Sequence, residues 1–287
     1  MSDLVCGTVC GVAGGHAPRC PASTPRLGLR CFTAADLPEV TALHRDPRVR
    51  TLLVDDHALE QPALARRFLQ GLQAVYHRHP GLGIWRAERR RPADAAALAA
   101  AEAEVAAGEL APEALAWLRR GDAAFAGWFS LMPMSAQPGR VEIGCRLLPA
   151  AWGTGLVLEG GTALIDHAFG ALALPELWAA CHPEHRPVQA VLRTLGFEPA
   201  GHAAYEGRAD AAHYRLGAPR WQALRTQPLR QRQRAAVRAL AGRHSWPGAD
   251  PQLPAARLPG ELGGDVQHLT HPRRAHAAQP QRPGPTP

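Results

Sequence analysis

VEIGCRLLPAAWGTGLVLEGGTALIDHA, running from Val141 to Ala168, decides how this chain folds. Val141, Ile143, Cys145 and Leu147 alternate with Glu142, Gly144 and Arg146, the period-2 pattern of a strand. Pro149 ends it. Gly153-Thr154-Gly155 makes a tight turn, and Leu156, Val157, Gly160, Ala163, Leu164, Ala168 and Phe169 then recur at helical spacing. A glycine turn that opens a helix bares backbone N–H groups at the positive end of the helix dipole. The stretch is therefore predicted to bind the phosphate or pyrophosphate of a phosphorylated cofactor.

Similar patterns extend to either side. Leu27, Leu29 and Cys31 alternate as a first strand, and Thr33, with Asp36 three residues later, caps the next helix. That helix, through Leu37, Val40 and Leu43, stops at Asp46-Pro47. A second helix spans 61–77, with Leu64, Phe68, Leu72 and Val75 on one face. Strands are predicted from Leu82, at Phe125–Met132, Leu177–Cys181 and Phe197–Tyr205, and at His213–Leu216. A helix over Pro187–Leu195 ends at Gly196 as its left-handed cap. Residues 91–121 read as a helical insertion. Residues 1–25 read as a disordered leader, 26–221 as one α/β (α+β) domain, and 222–287 as an Arg/Pro-rich disordered tail with room for a short basic helix at Leu229–Leu240.

The 287 residues carry a formal net charge of +7, and all 32 basic residues are arginine. Lysine and asparagine are absent, which reads as the signature of a GC-rich genome. Beyond Trp221 there are ten arginines and three acids, whereas residues 1–221 hold 22 of each, so the positive excess belongs to the tail. The domain has no charge that calls for nucleic acid. No apolar run is long enough to span a membrane, and the cytoplasm is the expected compartment. Cys6, Cys10, His16 and Cys20 match no common zinc spacing, so no metal is expected and these read as stray thiols. Cys145 and Cys181 read as small core residues on strands.

Several motifs then occur in a telling order: Arg26–Arg30 (RLGLR) with Asp36, Asp46-Pro47, Glu142–Gly144 (EIG), Leu147–Gly155 (L-x-P-x-x-W-G-x-G) and Glu159. His182–Glu184 (HPE), Val191–Phe197 (V-L-x-x-L-G-F) and Gly201 follow. Over Arg26 to Trp221 the chain resembles the GNAT superfamily of acyl-CoA-dependent N-acetyltransferases, nearest the branch of the ribosomal-protein alanine N-acetyltransferases. The resemblance implies a mixed, mostly antiparallel sheet of six or seven strands flanked by helices. Its middle strands, here Glu142–Leu148 and Leu177–Cys181, splay in a V. It also implies acetyl-CoA as cosubstrate. Backbone groups near Cys145, Arg146 and Leu147 would bind the pantetheine arm, and those of Gly153, Thr154, Gly155, Leu156 and Val157 the pyrophosphate. In the phosphate signature Trp152 stands in the first place, as is usual in that branch, and Val157 replaces the expected Gly or Ala in the last. The sequence has His185 in place of a cofactor-contacting Asn, and Val188 in place of a Ser.

The implied reaction is direct transfer of an acetyl group to a primary amine, on a protein N-terminus or a small molecule. It needs a base, a polarised carbonyl and an acid. Glu142 is the candidate base. The other reading of Glu142 is an exposed strand carboxylate paired with an arginine such as Arg146. Tyr205, Tyr214 and His185 are candidate acids, Tyr205 facing the acceptor cleft and Tyr214 reading as a core aromatic. Glu159 reads as the partner of a basic residue, and Asp55 and Asp56 as an acidic loop. The alternative function is an acyl-CoA-binding domain with weak or lost catalysis, motivated by Val157, His185 and Val188.

Overall fold

The computed structural model describes residues 20–241 apart from 56, 90–94, 109–111, 113–114, 116–118, 120–123, 135–136 and 207. Strands form where apolar residues alternate. β1 (Leu27–Cys31), β2 (Gly83–Arg89), β3 (Phe125–Pro133) and β4 (Val141–Leu147) run antiparallel to one another. β5 (Glu176–Cys181), β6 (Glu198–Tyr205) and β7 (Arg208–Gly217) complete a seven-stranded sheet of order β1-β2-β3-β4-β5-β7-β6. The β4–β5 junction alone is parallel. Helices flank this sheet, as the resemblance implied.

β4 is in register with β3 along its whole length, from Gly127↔Leu147 to Pro133↔Val141. With β5 it shares one pair, Glu142↔Trp178. Beyond that pair the strands part, and the sheet splits into a β1–β4 half and a β5–β7–β6 half. The V expected between Glu142–Leu148 and Leu177–Cys181 is present, with Glu142 at its apex.

Neighbouring residues of β3 show how both faces are covered, since successive side chains point to opposite sides. Trp128 stacks on Phe68 of α3 (Pro62–Arg78) and lies 5.0 Å, ring to ring, from His44 of α1 (Leu37–Arg45). Phe129 lies under α5 (Leu156–Asp166), against Gly160. Pro47 stops α1 and starts the short α2 (Pro47–Arg50), and the Asp36 carboxylate accepts the Thr33 N–H at 2.7 Å. The insertion contains α4 (Ala95–Ala106). At the end of α6 (Arg186–Leu195), Gly196 has φ +100°, and the Phe197 N–H closes the cap on Leu192 O at 2.9 Å.

Gly160 lets α5 lie close on the sheet. A Cβ there would meet Phe129 Cζ at 2.2 Å, and the ring, 1 % exposed, has nowhere to go. Gly160→Ala gains about 1 kcal/mol of helix propensity against an overpacking cost of about 1–3 kcal/mol. We expect a lower urea midpoint for this variant, restored in part when Phe129→Leu is added.

The chain keeps its structure on both sides of the 26–221 domain expected from sequence. Cys20 packs on Cys31, and Thr24 hydrogen-bonds Leu27. Past Trp221, α7 (Ala218–Leu224) is followed by α8 (Leu229–Ala241), which buries Ala236 and places Arg232 over the Trp221 ring at 5.7 Å. Residues 1–19 of the expected leader and 242–287 of the expected tail lie outside the described residues.

Candidate functional site

β4 and β5 are parallel, so the carboxyl ends of both open on one edge of the V. The turn into α5 follows one of them and the start of α6 the other. Such an edge collects helix N-termini and is where open α/β sheets take ligands. Gly153 and Gly155 have φ of +75° and +78°, the left-handed region that favours glycine. Thr154 Oγ1 donates to Ala151 O at 2.7 Å, and Trp152 Nε1 to Leu147 O at 3.0 Å, which fixes the turn. The hydrogen-bond ladder of α5 begins with the N–H groups of Leu158 and Glu159, both donating to Gly155 O at 3.2 Å. Those of Leu156 and Val157 project from the end of the helix.

A brace holds this turn from behind. Glu159 accepts the Arg26 backbone N–H at 2.9 Å, Arg26 Nε at 2.6 Å and the Thr24 hydroxyl, while Arg26 Nη1 donates to Thr154 O at 2.8 Å. Glu159 is thus the ion-pair partner of a basic residue. Its carboxyl stays below the usual carboxylate range: burial pushes it up, but the bonds from Thr24 and Arg26 outweigh that.

The arm of the V follows from strand alternation. Leu148 N–H donates to Ala126 O at 2.9 Å, which marks the even-numbered positions of β4 as bonded to β3. The backbone groups of Cys145 and Leu147 therefore face the gap left by β5. Arg146, expected among the cofactor contacts, turns its backbone to β3 instead. Cys145, expected in the core, is exposed beside the split in the sheet. His185 stands at the N-terminus of α6 on the other wall. Its Nδ1 is buried without a hydrogen-bond partner among the described residues. Burial, and next the nearby His182, keep it neutral by lowering its pKa.

At the apex, Tyr205 Oη donates to Glu142 Oε2 at 2.7 Å. The packing around Glu142 pushes its carboxyl up to about 8, against lowering by the bonds from Tyr205 and the Ala180 backbone N–H. The charges of Glu206 and Asp55 push the same way as burial. Tyr205 is raised well above its ordinary value, by burial first and then by Glu142. His213, 3 % exposed, sets its ring edge-on to Tyr205 at 6.0 Å. Tyr214 is fully buried in the core.

Arg146 sends its side chain to the face carrying α1 and α3. Nη1 meets His44 Nε2 at 2.6 Å, Nη2 pairs with Asp55, and the guanidinium lies 5.2 Å from the Trp128 ring centre. Burial, and next Arg146 itself, hold His44 down to about 3, so its ring is neutral and Nε2 accepts. Glu142 and Arg146 are therefore not a pair, and the loop after α2 is clamped to β4. Asp55 is no exposed loop acid; Asp56 lies outside the described residues. Arg146 and Asp55 side chains are both 11 % exposed. Arg146→Gln, which strands a buried carboxylate, should cost about 3 kcal/mol, read as a lower urea midpoint.

The structure thus brings Glu142 to Tyr205, aligns Cys145 and Leu147 with the open gap, and gathers Gly153 to Val157 at its mouth with His185 opposite. Sequence reasoning missed Asp55 as the partner of Arg146, His213 beside Tyr205, and the Thr24–Arg26 brace. Only the basic partner expected for Glu159 pointed toward the last.

The sequence model described as "Acetyltransferase (GNAT) domain" matches residues 26–198, more than half of the chain. Among solved structures, a provisionally identified acetyltransferase from T. thermophilus superposes with a TM-score of 0.51 at 18% identity, covering 78% of this chain and 100% of that one. A provisionally identified ribosomal-protein-serine acetyltransferase from Vibrio cholerae gives 0.50 at 17% identity, covering 69% and 97%. At these identities the likeness is one of fold.

Proposed function

Because the chain belongs to the GNAT acetyltransferase family, whose acetyl donor is acetyl-CoA, we propose that it transfers the acetyl group to a primary amine at the apex of the V. The Glu142–Tyr205 hydrogen bond at 2.7 Å carries this reading. It joins a proton acceptor to a proton donor at the point where the two halves of the sheet separate.

The residues present fit the cosubstrate. The N–H groups of Gly153 to Val157 would hold its pyrophosphate, where a Cβ at residue 155 would be strained. The backbone of Cys145 and Leu147 would meet its arm, and His185 Nδ1 offers a further polar contact. Bound acetyl-CoA supplies an activated thioester carbonyl. Glu142 accepts the acceptor's ammonium proton at its carboxylate, and the charge of Glu206 favours the approach of a cation. Tyr205 holds at Oη the proton that a departing thiolate requires. The carboxyl of Glu142, once protonated, can return a proton to Tyr205 along their shared hydrogen bond. Val188, at the position of the family's Ser, packs half-buried against the core, and Tyr205 fills the acid role.

The pH dependence follows from Glu142. Its raised pKa keeps it protonated and unable to act as a base below about 8. Turnover at saturating substrates should rise about tenfold per pH unit on the acid side and level off above that value. Thiol release from acetyl-CoA, scanned over small primary amines and peptides with free α-amines, tests the reaction. Binding of acetyl-CoA with no amine-dependent thiol release across the panel would favour the binding-domain alternative.

A further inference from the structure

Two sulfur atoms meet at the foot of the brace behind the phosphate turn. Cys20 Sγ lies 3.7 Å from Cys31 Sγ, and no disulfide joins them. Cys31 ends β1 opposite Trp85 and is 2 % exposed, whereas Cys20 is half-buried and open to solvent. We propose that Cys20 and Cys31 form a covalent modification site, at which a low-molecular-weight disulfide oxidises the two thiols to an intramolecular disulfide.

Accessibility sets the order of events. The oxidant reaches Cys20 first, because Cys31 is covered. The Cys20 thiolate attacks one sulfur of the oxidant, whose S–S bond breaks; a mixed disulfide forms and one thiolate leaves. Cys31 gives its proton to solvent and attacks the Cys20 sulfur, displacing the second thiolate. The protein loses two electrons and two protons, and the oxidant becomes two thiols. The sulfurs must close to about 2.05 Å, a movement that falls to half-buried Cys20, since Cys31 is fixed in β1.

The surroundings favour Cys20 as the attacking group. Hydrogen bonding from Cys31 to its sulfur lowers the thiol to about 7 against the opposing effect of burial, with a smaller contribution from Trp85. Burial pushes Cys181 up to about 12, which leaves it inert at neutral pH. The bond would also reach the phosphate turn. Thr24 and Arg26 lie between the two cysteines, and both hold Glu159 in α5. A Cys20–Cys31 disulfide would tether that brace covalently to β1.

The test uses the full chain, folded, with oxidised glutathione at pH 8. Trypsin cuts after Arg19, Arg26 and Arg30, so Cys20 and Cys31 fall in separate peptides, both apart from Cys6 and Cys10. We expect the 20–26 and 31–45 peptides joined, with two hydrogen masses lost, and separated again by reductant. The oxidised protein should melt several degrees higher. In Cys31→Ser, Cys20 should stop at a stable glutathione adduct; in Cys20→Ser, Cys31 should stay unmodified. Three wild-type results would each overturn the proposal: Cys20 joined to Cys6 or Cys10, Cys20 left as the glutathione adduct, or the 20–31 link appearing only in denaturant. The wild-type peptide map stands whether or not the serine variants fold.

Discussion

Glu142→Gln is expected to lower turnover by about 10²- to 10⁴-fold, the usual contribution of a positioned general base, while leaving acetyl-CoA affinity unchanged. The amide keeps the shape of the carboxyl group. Its oxygen can still accept from Tyr205 Oη, the 2.7 Å bond that Glu142 Oε2 makes now. It cannot take a proton. The acid limb near pH 8 should therefore vanish in the variant, since the group that titrates there is gone. Tyr205→Phe is the companion. It removes a bond that lowers the Glu142 pKa, so the limb should move to higher pH as turnover falls. A Glu142→Gln enzyme of wild-type turnover with the limb intact would place the base elsewhere.

Gly155→Glu should abolish acetyl-CoA binding in a protein that still folds. Residue 155 sits at φ +78°, a conformation that costs a side-chain-bearing residue about 1–2 kcal/mol. The new side chain would begin 3.4 Å from Arg26 Nη2, so its carboxylate would compete with Glu159 for Arg26, loosen the brace behind the turn and add a negative charge beside the proposed pyrophosphate. Acetyl-CoA should raise the wild-type melting midpoint, as any ligand of the native state does, and leave the variant's unmoved. Gly155→Ala separates the two causes. It carries the strain without the charge, so a smaller but measurable rise should survive. An undiminished rise in Gly155→Glu would move the phosphate site away from this turn.

Much of the architecture was legible because local signals agreed. The alternation of Val141 to Leu147, the glycines at 153 and 155 and the helical spacing beyond them specify strand, turn and helix without tertiary information. Gly196 and Pro47 mark helix ends by backbone chemistry alone. Arg146 was not legible. Its place on β4 could be read, but its backbone direction depends on the pairing with β3, and its side chain meets His44 and Asp55 about a hundred residues upstream. The same holds for Tyr205, whose partner lies on a strand 63 residues away. Cys145 misled because alternation tells which face a strand residue points to, not whether anything packs on that face beside the split in the sheet. The extent of the fold misled for another reason. Residues 20–25 and α8 are held by partners distant in sequence: Cys20 packs on Cys31, Thr24 bonds Glu159, and α8 packs along α6 with Arg232 over Trp221.

We propose the V between β4 and β5 as the acetyl-CoA site, with Glu142 and Tyr205 at its apex. Calorimetric titration of the full chain with acetyl-CoA at neutral pH tests it most directly, because it needs no knowledge of the acceptor. Saturable binding of one acetyl-CoA per chain is expected, lost in Gly155→Glu and retained in Glu142→Gln. No heat of binding at millimolar acetyl-CoA, from protein that melts cooperatively, would contradict it.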